Sequence, residues 1–211
     1  MPVLVTDRKR QQGGLVRTLM ISRPGKRNAL DHEHLALLEE ALDAAEAHPE
    51  VRSLLICGEP PAFCAGYDLD EPFDPAGPDT AVIRTMAKLR NLRVPVVAFI
   101  DGPAFGAGLE LAISADIRIG TTASTFCLPP ARLGIAYAPG GIGRLIDLVG
   151  TSQARRLAFA GLVINGDEAL RIGLVDQLGL REEADGLADR LADGAPRAME
   201  QMKQTFNAWD R

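Results

Sequence analysis

The residues of this chain whose types and spacing could do chemistry lie in Phe105-Gly106-Ala107-Gly108-Leu109-Glu110-Leu111-Ala112. The segment follows an apolar run that ends at Ile100, and it reads as a strand passing through a glycine turn into a helix. Gly106 and Gly108 let the backbone turn tightly and leave nothing bulky above it. The N–H groups of a first helical turn have no carbonyl partner within the helix and point outward at the positive end of its dipole. That geometry suits a developing oxyanion. Glu110 lies three residues beyond Ala107, on the same helix face and within reach of the same substrate. An oxyanion donor beside a proton-transferring carboxyl is a catalytic layout. The ordinary structural alternative is a first-turn Glu that only favours the dipole. A dinucleotide site fits poorly, because the third glycine of Gly-x-Gly-x-x-Gly falls at Leu111 and no acidic residue stands near 126.

A second turn of the same kind occurs earlier. The buried-strand pattern Arg52-Ser53-Leu54-Leu55-Ile56-Cys57 leads into Pro61-Ala62-Phe63-Cys64-Ala65-Gly66-Tyr67-Asp68-Leu69. Before it stands Arg23-Pro24-Gly25-Lys26-Arg27-Asn28-Ala29-Leu30. Together the three blocks resemble the crotonase (enoyl-CoA hydratase/isomerase) superfamily, whose pattern is R-P-x-x-x-N-A-L, then F-x-A-G-x-D-[LI], then G-x-A-x-G-[GA]-G-x-E-[LI]-A. The resemblance runs from about Leu15 to Asp176 and includes Pro95, Asp101-Gly102 and Ser114-Ala115-Asp116. It implies an α/β chain with a ββα spiral core over residues 1–180 and a shortened C-terminal helical segment over 181–211. It implies an acyl-CoA thioester as substrate, with coenzyme A entering as part of it and no permanently bound cofactor. Tyr67 and Ala107 become the backbone oxyanion donors, and Glu110 the acid–base. Lys26, Arg27, Asn28, Ala29, Leu30, Ala65, Gly66, Asp68, Gly106, Gly108 and Pro130 become residues of the substrate and coenzyme A site. In the family the loop at Asn28-Ala29-Leu30 meets the adenine through its backbone, and the cations Arg23, Lys26 and Arg27 stand ready for phosphates. A solvated turn before a helix start at Asp31 is the alternative for that block. A homotrimer or dimer of trimers is likewise implied.

Two departures from the family bear on the reaction. Enoyl-CoA hydratases carry a Pro-Glu pair after the Phe of an A-x-F block, and that Glu works with the first one. Here the block reads Ser124-Thr125-Phe126-Cys127-Leu128-Pro129-Pro130, so Pro130 stands where the second acid would be, and proline cannot transfer a proton. The segment through Leu133-Gly134-Ile135-Ala136-Tyr137 is similar to that of methylmalonyl-CoA decarboxylases, which places the family Tyr at Tyr137. Decarboxylation needs less acid–base machinery, since carbon dioxide leaves and the enolate is held by N–H groups. That branch has His where this chain has Tyr67, and a packed aromatic in a Gly/Pro-rich loop is the alternative reading of Tyr137. The second departure is the C-terminus. Met199, Met202 and Phe206 form an apolar stripe that is expected to meet either further helices or a neighbouring subunit. A chain that binds acyl-CoA without turning it over is the competing function.

Composition sets the frame. A chain of 211 residues, 46% apolar, is sized for one domain with a sizeable core. A net charge of −5 argues against nucleic acid. The absence of an apolar run of membrane-spanning length leads to the expectation of a cytoplasmic enzyme without a membrane partner. The polar, basic stretch Met1 to Gln12 lacks the apolar core of a secretory signal and reads as a frayed lead-in. Cys57, Cys64 and Cys127 have no metal spacing and are expected as reduced thiols, with Cys64 a small packed residue rather than a nucleophile. In Asp31-His32-Glu33-His34 the two histidines are two apart on a helix and cannot grip one ion, so no metal site is expected. No Gly-x-Ser-x-Gly elbow is present. Strands are expected over Leu15 to Ile21, Val51 to Cys57, Val94 to Ile100 and Ile117 to Gly120. Helices are expected along Leu35, Leu38, Leu42 and Ala45, along Val82, Ile83, Met86 and Leu89, over 107–115, and as two stretches in 140–160 separated near Gly150-Thr151. A mobile loop is expected over 71–79, and all-helical chain beyond Gly179.

Overall fold

The protein was analysed as a computed structural model that describes residues 2–71, 80–129, 133–135 and 137–209. Most of the loop 71–79, and both Pro130 and Ala136, lie outside the described residues. Nine strands are described: β1 (Val3–Lys9), β2 (Leu15–Ile21), β3 (Val51–Gly58), β4 (Val96–Ile100), β5 (Pro103–Phe105), β6 (Ile117–Gly120), β7 (Thr125–Cys127), β8 (Ile164–Asn165) and β9 (Gln177–Leu178). The helices are α1 (His32–Ala47), α2 (Thr80–Asn91), α3 (Ala107–Ile113), α4 (Pro139–Ala160), α5 (Gly166–Arg171), α6 (Arg181–Ala192) and α7 (Pro196–Trp209).

Six strands form the main sheet in the order β1-β2-β3-β4-β6-β9, with β1 antiparallel to β2 and the rest parallel. Parallel strands are buried on both faces, so they read as continuous apolar runs rather than alternating ones. The period of two still sorts their side chains. Leu54 and Ile56 of β3, with Val96, Ala98 and Ile100 of β4, pack toward Leu35, Leu38 and Leu42 of α1 and Met86 and Leu89 of α2. Leu55, Cys57, Val97 and Phe99 point the other way, onto Ala184, Ala188 and Ala192 of α6. Alanines four apart give α6 a smooth stripe, close enough for Ser53 to donate to the Ala188 carbonyl at 2.8 Å. The second sheet, β5-β7-β8, is three strands of two or three residues each.

The helices follow the apolar spacing. Leu35, Leu38, Leu42 and Ala45 are all buried, and Asp31 caps α1 by accepting from the His34 N–H at 2.8 Å. In α2 the buried face is Val82, Thr85, Met86 and Leu89; Ile83 is exposed. Thr85 takes the inward place because its hydroxyl is satisfied by Glu39 and the Ala81 carbonyl, both at 2.9 Å. Gly150, with φ 73°, breaks α4 into two pieces at the expected position. Beyond Gly179 the chain is helical, with a short break between α6 and α7. No helix among the described residues is long and apolar enough to cross a membrane.

The N-terminus corrects one expectation. Residues 3–9 are not frayed but form β1, paired along its length with β2 from Val3↔Ile21 to Lys9↔Leu15. Its sequence hid this because β1 is an edge strand in which only Val3 is buried, so no apolar alternation marks it. The strand is clamped by charge: Arg8 reaches Asp185 and Asp189 at 3.1 and 2.7 Å, and Arg10 reaches Asp189 and Asp193 at 2.8 Å. Those three acids, four apart, form one stripe of α6 and its C-cap. Arg8 is partly exposed, so solvent screens its pairs. Arg8→Gln is therefore expected to cost no more than about 1 kcal/mol in denaturant unfolding. The deficit should shrink toward zero in 1 M salt, where the Debye length is roughly 3 Å.

Candidate active site

Two glycine turns meet, and the small second sheet is what brings them together. β5 ends at Phe105, and the Gly106 N–H donates to the Cys127 carbonyl of β7 at 3.0 Å. The Cys64 segment runs beside it, with the Cys64 N–H donating to Pro103 and the Phe105 N–H to Cys64, each at 3.0 Å. A third link joins Leu30, whose N–H donates to the Gly66 carbonyl and whose carbonyl accepts from Asp68, both at 2.8 Å. Successive N–H groups of an extended segment alternate in direction, so this bridge turns the Tyr67 N–H away from Leu30. Gly66 has φ 108°, and a Cβ there would lie 2.8 Å from the Phe105 carbonyl oxygen and 3.6 Å from the Ala107 N. The backbones that carry Tyr67 and Ala107 are thus in contact, and only glycine permits it.

Gly106 and Gly108 turn out to be glycines for different reasons. Above Gly106, with φ 53°, a Cβ would meet only Pro129 Cδ at 4.0 Å, so the turn is open there. At Gly108 a Cβ would overlap the Cys64 carbonyl oxygen. Gly108 therefore serves the packing of α3 against the Cys64 turn, rather than leaving room above the turn as its spacing had suggested. Ala107 is the first residue of α3, half-buried, with the N–H of a helix start.

Glu110 is 4% exposed. Burial pushes its carboxyl above the usual range, opposed by Arg144 and by the Tyr137 hydroxyl. Arg144 Nη2 donates to Glu110 Oε1 at 2.8 Å. The half-buried Tyr137 donates to the Gly106 carbonyl at 3.2 Å, and burial beside Glu110 raises its phenol well above the ordinary value, so it stays protonated. A Cβ on Gly141 would lie 2.7 Å from Glu110 Oε1 and 2.8 Å from Tyr137 Cε1, so the start of α4 presses directly on this pair. Carboxyl, phenol and helix-start N–H thus share one small volume.

The first block is built into this scaffold more than it is laid open to a ligand. Asn28, fully buried with φ 58°, donates through Nδ2 to the Glu59 and Ala62 carbonyls at 2.7 Å and accepts from the Arg23 N–H at 2.9 Å. Leu30 is buried, Ala29 nearly so, and the Ala65 N–H donates to the Arg27 carbonyl at 3.0 Å. The cations are also engaged: Arg23 pairs with Asp68 at 2.7 Å and Asp31 at 3.1 Å, while Lys26 pairs with Asp70 and, at 3.7 Å, with Asp68. Asp68, bonded by the Asp70 N–H and by Arg23, is held below the usual carboxylate range. Arg27 is exposed beside them.

The histidines go to separate partners. His34 Nδ1 lies 2.6 Å from Asp31 Oδ1, and His32 Nε2 lies 3.2 Å from the Tyr67 hydroxyl. Cys64 is fully buried and its thiol is pushed up to about 12 by that burial, which leaves it a packed residue. Arg144 escaped the sequence reading. A basic residue after Gly140-Gly141-Ile142-Gly143 is visible, but no spacing says which carboxyl it will meet.

A family profile described as Enoyl-CoA hydratase/isomerase matches residues 11–210. The mouse mitochondrial methylglutaconyl-CoA hydratase is 38% identical over 76% of this chain and 53% of its own length, so the match spans about half of that relative. The short-chain-enoyl-CoA hydratase of Clostridium acetobutylicum is 33% identical over 93% of this chain and 79% of its own. The crystal structure of an enoyl-CoA hydratase from Bacillus anthracis superposes with a TM-score of 0.85 at 28% identity, covering 98% of this chain and 83% of that one.

Proposed function

The chain belongs to the enoyl-CoA hydratase/isomerase family, and from that premise we propose that it converts an acyl-CoA thioester through an enolate, with Glu110 transferring the proton. The thioester oxygen is held by the N–H groups of Tyr67 and Ala107, each such donor contributing roughly 3–4 kcal/mol to the transition state. In hydration, Glu110 takes a proton from water as the water oxygen bonds to the β-carbon, and the double-bond electrons move onto the thioester oxygen. The same carboxyl then returns a proton to the α-carbon as the enolate collapses. One carboxyl suffices for this because it ends the cycle as it began. The coenzyme A moiety passes the first block, where Lys26 and Arg27 are the exposed cations of the cluster and the backbone around Ala29 and Leu30 lines the adenine. Asn28, Ala65, Asp68 and Gly66 shape that passage from behind; Pro130, assigned to the same site, lies outside the described residues.

The observation that carries this reading is the convergence of the Gly66–Tyr67 turn, the Ala107 helix start and the buried Glu110 carboxyl. A second reading, decarboxylation of a methylmalonyl-type acyl-CoA, is favoured by the protonated Tyr137 hydroxyl next to Glu110 and by Pro130 in the place of a second acid. In it the phenol orients the departing carboxylate, and the electron pair left by carbon dioxide enters the same enolate. A mass-spectrometric assay with crotonyl-CoA and methylmalonyl-CoA in parallel separates the two. Hydrated crotonyl-CoA is the expected product. Propionyl-CoA from the second substrate alone would replace hydration by decarboxylation. Tight binding of both esters with no product would make the chain a carrier and overturn the enzymatic reading.

A further inference from the structure

Resting on the reading of Glu110 as the proton-transferring group, we propose that Arg144 is a positioning residue that holds this carboxyl ionised and in one orientation. Three observations carry it. Arg144 Nη2 donates to Glu110 Oε1 at 2.8 Å, which fixes one carboxylate oxygen on α4 and leaves the other for the reacting atoms. Gly141 stands one helical turn before Arg144 on the same face of α4, and its missing Cβ is the space that Oε1 occupies. The backbone is thus shaped for this contact. The Arg144 Nε is buried without a hydrogen-bond partner among the described residues, so the guanidinium is placed by Glu110 rather than by a network of its own. Leaving a buried donor unmet costs on the order of 1–3 kcal/mol, a penalty the fold has no reason to carry for a cation that only packs.

The groups bearing on the Glu110 carboxyl among the described residues are Arg144 from α4 and the Tyr137 hydroxyl just before it. Arg90, from α2, adds a like charge that opposes the charge on Arg144. Burial opposes ionisation of Glu110, and Arg144 is the first of the two groups that favour it. Removing the cation therefore has one sign: the carboxyl keeps its proton to higher pH. An opposite charge at such a distance moves a carboxyl by about 1–3 pH units.

The test is a carboxyl ¹³C NMR titration of the free protein, with the Glu110 resonance assigned by its loss in E110Q. The Glu110 midpoint is expected to rise by about 1 pH unit or more in Arg144→Gln and to return most of the way in Arg144→Lys. With crotonyl-CoA, Arg144→Gln should lower kcat by up to about 10-fold near neutral pH for each pH unit of that rise, with KM within about twofold, and should recover on the alkaline side. A purely structural Arg144 would lower activity without moving the midpoint. An unmoved midpoint in Arg144→Gln, or no recovery in Arg144→Lys, would overturn the proposal. Should Arg144→Gln not fold, the wild type decides alone: the Arg144 guanidinium ¹⁵N signal must shift with the Glu110 midpoint, and its failure to do so sinks the idea. The titrations use no substrate, so a chain that turns over no acyl-CoA would refute the enzymatic reading while these still judge Arg144.

Discussion

Glu110→Gln is expected to lower turnover of an acyl-CoA thioester by about 10²- to 10⁴-fold, the usual contribution of a positioned acid–base group. Affinity for the ester, measured by calorimetry, should remain within about twofold. Glutamine keeps the size and planarity of the side chain, so the packing of α3 against α4 and the clearance at Gly141 are preserved. What it loses is the capacity to accept a proton. The substitution also has a thermodynamic signature. Burial raises the Glu110 carboxyl in the fold, so the folded chain binds that proton more tightly than the unfolded chain does. Stability contributed by this group is therefore largest below the ordinary carboxylate range, and it falls as pH rises from there through the raised folded value. The Gln variant should lack that step in a plot of unfolding free energy against pH. Undiminished turnover in E110Q would remove Glu110 from the chemistry and leave its burial a purely structural fact.

The parts of this molecule that could be read from the chain are those where one physical signal dominates. β2, β3, β4 and β6 are legible because burial on both faces makes them rich in apolar residues, unbroken in β4 and interrupted by few polar ones in the others. The kink in α4 is legible because Gly150 needs a positive φ that interrupts a helix. Glu110 is legible because a lone carboxylate follows a glycine turn. The elements that escaped carry no such signal. β1 is an edge strand held by pairing with β2 and by the acidic stripe of α6, both distant in sequence. β5, β7 and β8 are too short for any period to show, yet they join Phe105, Gly106 and Cys127 and so place the helix start. The ion pairs of Arg23 with Asp68 and of Lys26 with Asp70 were hidden because those acids stand more than forty residues away. Arg144 was hidden for the same reason, 34 residues beyond its carboxyl. Local types mark candidate reacting groups; long-range pairing decides which charges meet.

Gly66→Ala is expected to cost about 10²- to 10³-fold in kcat, the loss associated with one oxyanion donor, although the substitution adds a single methyl and touches no reacting side chain. The methyl meets two obstacles. At φ 108° an L-residue is strained, at a cost of about 1–3 kcal/mol. Its Cβ would also sit 2.8 Å from the Phe105 carbonyl oxygen, a fixed backbone atom that cannot rotate away. The Gly66 carbonyl is bound to Leu30, and Asp68 is tied to Leu30 and Arg23, so the segment cannot relax outward as a unit. The strain must fall on the peptide between Gly66 and Tyr67, the one whose N–H is assigned to the oxyanion. Because that donor acts in the transition state, the loss should appear in kcat with KM little changed. Gly143→Ala supplies the control: it is helical, nothing lies within 4 Å of its Cβ position, and it should be neutral or slightly stabilising. Steady-state kinetics of both variants, each shown folded by circular dichroism, decide the matter. A Gly66→Ala protein with wild-type kcat would mean that the Tyr67 N–H holds no charge in the reaction, and the oxyanion would then rest on the α3 helix start alone.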